Sequence, residues 1–574
     1  VWSATYHPTD REPEEYLVTL QAEKAVIRRR DEGIATQLDI AVSTEDDVEV
    51  RRLTVTNQSD RPRELEVTSY AEIALASLRD DMTHPVFSKL FVETEYLPES
   101  AALVCTRRPR SKDEGVWAVH VLSVDGRMQG PVEWETDRAR FLGRGRSPED
   151  PVALDGRPLS GTTGAVLDPI VSLRQRIRLA PGGFVRLSFA TGMALSRDAA
   201  LAMAQKYHDP SAAARTFALA FTHAQSTLRH LGISSDEAQL FERLASRVMY
   251  ADASMRARPE LLSLNVLGQS GLWAHGISGD LPILLVRVVE EDAIPLVRQA
   301  LHAQEYWRLK GLSADLVILN EHPVSYLDEM HVELTSLLDT GPWGAWKHRP
   351  GGVYLLRGDR MKEEERNLLA SVARAILSGD RGTLANQLEW PHPELLWKRG
   401  PPPPPSPAPR PDGMEIEMPV LTFANGTGGF ADGGREYVVV LDGDQETPLP
   451  WVNVMANPGF GTVVSASGSA YTWAENSREN RLTPFANDPV TDPTAEALFL
   501  RDEEAGDVWS PTPGPMQRTR ESGRFVTRHR AGVSRFSHAS HGILQDLAIF
   551  VDATDPVAVR VELAEDALLQ ARAD

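Results

Sequence analysis

The run that carries most chemistry per residue is Tyr471-Thr-Trp473-Ala-Glu475-Asn476-Ser-Arg478-Glu-Asn480-Arg481-Leu-Thr-Pro484-Phe-Ala-Asn487-Asp488-Pro489-Val490. A sugar is held by an aromatic face against the C–H side of its ring, and by amides, carboxylates or guanidinium groups at its hydroxyls. Trp473, Glu475, Asn476, Arg478, Asn480, Arg481, Asn487 and Asp488 supply that mixture within one loop-rich segment. The same residue types also suit a plain structural turn, with Asn and Asp capping backbone groups while Pro484 and Pro489 set the path. Both readings stand on composition alone.

A second stretch, Gly268 to Pro282, is glycine-rich and bears Trp273, His275 and Asp280. Asp280 is a weak candidate for a catalytic acid, and fits better as a helix cap ahead of Leu281-Pro282. His275 has no neighbours of ligand type, so no metal site is expected. His84 and Lys89 are placed to touch a ligand, although the run Phe87 to Val92 reads more simply as a packed strand. The carboxylate runs Glu290-Glu291-Asp292 and Glu363-Glu364-Glu365 read as solvated helix faces. The chain carries no phosphate-loop, nucleophile-elbow or His-Glu-x-x-His signature, and Gly426 to Gly429 lacks the strand–helix setting of a dinucleotide site. No cofactor is expected.

The elements that position these residues follow from pattern and length. With 574 residues the chain exceeds one ordinary core and implies three or four domains. Its 42% hydrophobic and 25% charged content is that of a globular protein. The formal charge of -21 excludes a domain-scale nucleic-acid footprint and argues against docking on anionic lipid. Cys105, the single cysteine, rules out an intrachain disulfide and a cysteine-based zinc site, as suits a reducing compartment. No apolar run approaches the roughly 20 residues that span a bilayer. The opening Val1-Trp2-Ser3 begins in mid-pattern, so residue 1 is not expected to be a biological N-terminus.

An internal repeat organises the rest. Val1-Trp2-Ser3 returns as Val508-Trp509-Ser510, and Tyr16-Leu17-Val18-Thr19 as Arg524-Phe525-Val526-Thr527. Gly33-Ile34 returns as Gly542-Ile543, and Leu38, Ile40 and Val42 as Leu547, Ile549 and Val551 in the same alternating phase. Alternation of that kind buries one face of a strand. Two copies of one β-rich domain are therefore expected, the first without its front half and the second without its back half. Residues 1–196 read as a first sandwich, with strands such as Glu49 to Val55, Glu64 to Tyr70 and Phe184 to Phe189. Residues 197–398 read as an α-helical module containing Ala199 to Ala204, Phe217 to Leu231, Asp236 to Met249 (N-cap Ser235), Ala293 to Tyr306 and Glu363 to Leu377. The run Gly400 to Pro409 is a polyproline linker, assigned to 399–413. Residues 414–574 return to β.

The stretch Trp451 to Val490 resembles the N-terminal β-sandwich of glycoside hydrolase family 94, formerly glycosyltransferase family 36. The runs His84 to Glu95, Glu135 to Arg144, Gly268 to Pro282 and Glu305 to Glu321 are similar to the tandem arrangement of the cyclic β-1,2-glucan synthases. The resemblance covers essentially the whole chain. It implies a mixed β and α multidomain fold: two partial β-supersandwich domains separated by a helical module related to a truncated (α/α)6 barrel. In family phosphorylases an aspartate of a Gly-Asp-Trp-Asn-Asp-like barrel motif protonates the glycosidic oxygen while phosphate attacks with inversion. That motif is not found here, so a complete catalytic centre is not expected within this stretch. The implied role is binding and positioning of a β-glucan oligosaccharide beside other domains of a parent hexosyltransferase. That parent would use a UDP-glucose-type donor at the cytoplasmic face of an inner membrane, without insertion of this segment. A self-contained inverting β-glucoside phosphorylase or hydrolase acting through Asp280, and a purely structural sandwich module, are the alternatives.

Overall fold

A computed structural model describes residues 1–83, 85–108, 115–250, 252–290, 293–322, 329–389, 416, 418–503 and 506–566. The polyproline linker and His84 lie outside the described residues.

Strands dominate both ends, because alternation gives each a core face. Val48–Asn57 is representative: Val48, Val50, Leu53, Val55 and Asn57 are buried, with more accessible residues between them. It lies in a nine-stranded antiparallel sheet, edged by Glu15–Leu20 on one side and by Gly164–Ala165 on the other. Leu38, Leu53, Leu103, Leu122 and Leu187 of that sheet meet Val171, Leu173, Ile177 and Leu179 of a smaller sheet built on Pro169–Leu179. These two sheets form the first sandwich. On the far side of the large sheet, Val50, Val104, Val121 and Ala190 are covered by Ala200, Ala204, Tyr207 and Ala213. Those residues belong to the helices Arg197–His208 and Pro210–Leu231.

The second sandwich pairs a six-stranded sheet with the three strands Val452–Asn457, Phe460–Ser465 and Ala470–Ala474. Met455, Val464 and Ala470 pack on Phe536, Leu547 and Ile549. The repeat is visible in backbone detail. Hairpin Ala25–Asp31/Ile34–Val42 turns through Glu32 and Gly33 at φ +49° and +78°. Hairpin Val533–Ser540/Ile543–Val551 turns through His541 and Gly542 at φ +56° and +75°. Both are two-residue turns that need positive φ twice, which is why glycine recurs at the second place. The copies differ at the neighbouring strand. Arg524–Arg530 is internal, paired with Glu436–Asp442, whereas Glu15–Leu20 is an edge with every residue exposed.

Between the sandwiches the expected all-helical module is corrected. Residues 283–378 hold a four-stranded parallel sheet, in the order Val353–Arg357, Asp315–Asn320, Ile283–Val288, Ala375–Ser378. Helices cover both faces, so this is an α/β layer and not part of a helical barrel. The misreading has a physical cause. Parallel strands buried on both faces read as short continuous apolar runs, which periodicity does not separate from helix. The expected helix Glu363 to Leu377 ends at Val372, and Arg374 N–H then donates to the Ile283 carbonyl at 2.8 Å, starting the fourth strand. The N-cap of Ser235–Met249 is Ser234, in a capping box with Glu237, one residue before the expected Ser235. Residues 85–89 are a helical turn, and the strand expected from Phe87 begins at Val92. No helix among the described residues is long and apolar enough to cross a membrane.

Three histidines are locked into these sheets. His120 sits between the hydroxyls of Ser69 (2.9 Å) and Thr191 (2.8 Å). His538 bonds the Arg524 carbonyl at 2.9 Å and stacks on Phe525. His529 lies between Ser534 and the Trp451 carbonyl. Burial pushes each down to about 4. An unfolded histidine titrates near 6.5, so the unfolded chain takes up protons first as pH falls. Stability is therefore full above pH ~6.5 and declines between ~6.5 and ~4, by up to about 3 kcal/mol per histidine. Thermal melts across this range should show that decline, with a shallower slope for His120→Asn. An equal slope in the variant would show that His120 is not among the groups responsible.

Candidate functional site

The polar segment Tyr471 to Val490 grows out of the three-stranded sheet of the second sandwich. Register places Trp473 opposite Gly461 and Tyr471 opposite Val463. The inner face of this sheet carries the core residues Met455, Val464 and Ala470. The outer face carries Val452, Val454, Val463, Tyr471 and Trp473, of which Val452 and Val454 are more than half exposed. The outer face of a sandwich is usually polar, so this one needs a reason. Trp473 lies flat on the Gly461 backbone, and any side chain there would collide with its ring. Tyr471 is tilted against Trp473 at 5.3 Å and stacked on Phe485 at 4.3 Å. Three rings thus form a strip. Beside it opens a cavity of about 430 Å3, walled by Val452, Val463, Tyr471, Phe485, Asn487 and Asp488.

The predicted polar residues divide into two groups. Glu475, Asn476, Arg478 and Asn480 form an exposed turn past the strand end. There Asn476 Oδ1 accepts from the N–H groups of Arg478 and Glu479, at 2.9 and 3.0 Å, so its side chain is a turn cap. Glu475 takes positive φ at +57°. Arg481 lies nearer the strip, bridged to Trp473 through the backbone, with its Nε donating to the Ser477 carbonyl at 3.2 Å. Asn487 and Asp488 line the cavity itself.

Asp488 is not a free ligand for a sugar. Both its oxygens accept from Arg138 of the first sandwich, at 2.8 Å each. Oδ1 also accepts from Val490 N–H, and Oδ2 from the Thr491 hydroxyl. Burial alone would raise this carboxyl, but the Arg138 and Thr491 bonds hold it well below the carboxylate range. Arg138 also meets Glu72 and Asp168, at 2.8 and 3.1 Å, and Lys89 closes the circuit on Asp168 at 2.8 Å. Lys89, a candidate ligand contact that reads more simply as part of a packed strand, is therefore part of an ion-pair network. Alongside, Arg144 reaches the Val490 carbonyl and Asp492, while Val490 itself is buried among Phe141, Leu142, Ala153 and Ile170. The two sandwiches are clasped at the cavity wall. Sequence reasoning missed Arg138 and Arg144 as partners. The only signal was the run Glu135 to Arg144, singled out by resemblance and not by charge.

Asp280 is exposed and accepts from Gln269 at 3.2 Å, and a strand, not a helix, begins after Pro282. The helix-cap reading of Asp280 is therefore corrected. Trp273 is exposed nearby, and His275 lies 3.5 Å from Glu365. Among the described residues no group of three or more His, Cys, Asp or Glu is placed to hold a metal ion.

A family model described as glycosyl hydrolase 94, supersandwich domain, matches residues 1–210 and 435–564. Cyclic beta-(1,2)-glucan synthase NdvB of Rhizobium meliloti (strain 1021) is 36% identical over 554 residues, 93% of this chain and 19% of that protein. N,N'-diacetylchitobiose phosphorylase of Vibrio furnissii is 30% identical over 124 residues, 22% of this chain and 15% of that one. Solabiose phosphorylase of Paenibacillus borealis is 28% identical over 144 residues, 23% of this chain and 17% of that one. The chain spans about a fifth, or less, of the length of these relatives.

The clasp makes a direct prediction. Asp488→Asn leaves Arg138 short of one charge and should cost on the order of 2 kcal/mol at neutral pH. Calorimetry should show a lowered midpoint or separate melting of the two sandwiches. The Asp488 contribution is present above the ordinary carboxylate value near 3.9 and is lost as pH falls through its depressed folded value. A variant that melts like the parent protein at pH 7 would remove the clasp from the account.

Proposed function

The chain belongs to the family of the glycosyl hydrolase 94 supersandwich domain, and from that premise we propose that it is the carbohydrate-binding, tandem-sandwich region of a cyclic β-1,2-glucan synthase-like enzyme. Its role is to hold or position a β-glucan oligosaccharide, with bond-making chemistry carried by other parts of such an enzyme at the cytoplasmic face of a membrane. The observation that carries the reading is the ring strip Trp473–Tyr471–Phe485 on an otherwise unexplained apolar outer face, next to a cavity of about 430 Å3. Stacked rings give a pyranose the flat, dry contact it needs, and a cavity of this size admits a few sugar units. Asn487 borders that space, and the clasp engages its neighbour Asp488 instead. Arg481 flanks Trp473. These two, with the rings, form the proposed contact set, while Asp488 supports the wall from behind. Glu475, Asn476, Arg478 and Asn480 border it as an outer rim.

Calorimetric titration of a linear β-1,2-glucan oligosaccharide tests the assignment. Phe485→Ala should weaken binding about tenfold, the equivalent of roughly 1.4 kcal/mol, because that ring is an outer member of the strip. Trp473→Ala should do at least as much. Absence of binding heat, or full affinity in both variants, would leave the sandwich with an architectural role only. Release of glucose 1-phosphate from glucan and phosphate, abolished by Asp280→Asn, would instead establish the self-contained enzyme.

A further inference from the structure

The strand order of the parallel sheet between the sandwiches reverses between Ile283–Val288 and Ala375–Ser378, its first and fourth strands in chain order. In open α/β sheets, ligands sit outside the carboxyl ends of the strands, beside such a reversal. A cavity of about 720 Å3 lies there, between the sheet, the helix Glu363–Val372 and the segment 253–261. Its floor is apolar, from Leu285, Leu319 and Ile376. Its walls bring together Arg256, Arg258, Arg287, Arg366 and Arg381, against the carboxylates of Glu321 and Glu363.

The pairing within this set decides what it is for. Arg287 is neutralised by Glu321 at 2.6 Å. Arg256 and Arg366 donate to the carbonyls of Ser371 (2.7 Å) and Gly358 (3.3 Å), bonds that fix their positions without cancelling their charge. Arg258 and Arg381 are exposed, and their guanidinium groups have no hydrogen-bond or ion-pair partner among the described residues. A chain with a net charge of -21 has carboxylates to spare, yet these four guanidinium groups face one cavity with none in ion-pair range among the described residues. Mutual repulsion among them is relieved by a multivalent anion. Guanidinium forks match phosphate oxygens two at a time. The volume is larger than an inorganic ion needs and falls in the range of about 300–1,000 Å3 typical of small-molecule sites. We propose that this crevice binds a small molecule through a diphosphate group, a site separate from the ring strip of the second sandwich.

The test is calorimetric titration of the full chain with inorganic pyrophosphate and, separately, with adenosine diphosphate, at low salt. Saturable binding of both is expected, weakened at least tenfold in the double variant Arg258→Gln/Arg381→Gln. Those side chains hold nothing else in place, so the variant should fold as the parent does, which its thermal melt verifies. Arg435→Gln, on the second sandwich, should bind like the parent protein. The proposal is overturned if neither probe binds, or if adenosine diphosphate binds and pyrophosphate does not. It is equally overturned if the double variant keeps full affinity, or if Arg435→Gln loses as much.

Discussion

The arrangement of the two sandwiches hangs on the environment of one guanidinium. Arg138 is nearly buried, with its side chain 8% exposed, and stripping a charge of water is costly unless geometry repays it. Repayment comes from three carboxylates on three separate segments: Glu72 and Asp168 in the first sandwich, Asp488 in the second. The last pairing is bidentate, the form in which arginine gains most from direction. Next to it Val490 fills an apolar socket of Phe141, Leu142 and Ile170. Charge sets the register of the joint, and apolar burial supplies the adhesion.

That joint also shapes the proposed sugar surface. The turn Asn487 to Asp492 forms the cavity wall beside Tyr471 and Phe485, and it is held from behind by Arg138 and Arg144. A wall whose carboxylates are already satisfied presents amide and aromatic groups to a neutral sugar, with little desolvation of charge. The small sheet of the first sandwich shows the ordinary alternative. Its outer face is a ladder in which Arg174 and Arg176 stand against Glu66 and Glu133. The contrast between that charged face and the ring-bearing face of the second sandwich is what supports the sugar-binding proposal.

The parts legible in the sequence were those set by local periodicity and turn chemistry. The repeat could be read because strand alternation and a Gly-Ile pair recur together, and both copies do form the same hairpin through Glu32-Gly33 and His541-Gly542. The parallel sheet could not, since Ile283–Val288 is apolar at every place but Arg287 and carries no alternation. Nor could the fate of Asp488. A carboxylate among Asn, Pro and Trp reads as a ligand or a turn, and nothing local announces an arginine 350 residues away. Trp473 and Phe485 were within reach of composition, but their joining through Tyr471 required the strand register.

The arginines of this acidic chain therefore fall into two physical classes. Arg138 and Arg144 are answered by carboxylates within the fold, and their charge is spent on holding sandwiches together. Arg256, Arg258, Arg366 and Arg381 meet no carboxylate among the described residues, and they converge on one crevice of the parallel sheet. A structural ion pair offsets the desolvation of its charges within the fold itself. A cluster without carboxylate partners gains nothing of that kind from the fold, and a multivalent anion is what would complete the pairing. The ring strip follows the same logic in apolar terms, because exposed Phe485 and Val454 gain nothing from water. Both surfaces are thus defined by what the fold leaves unsatisfied, one in charge and one in apolar contact. They lie in different modules, so the two proposed ligands, a neutral glucan and an anionic small molecule, would not compete for one site.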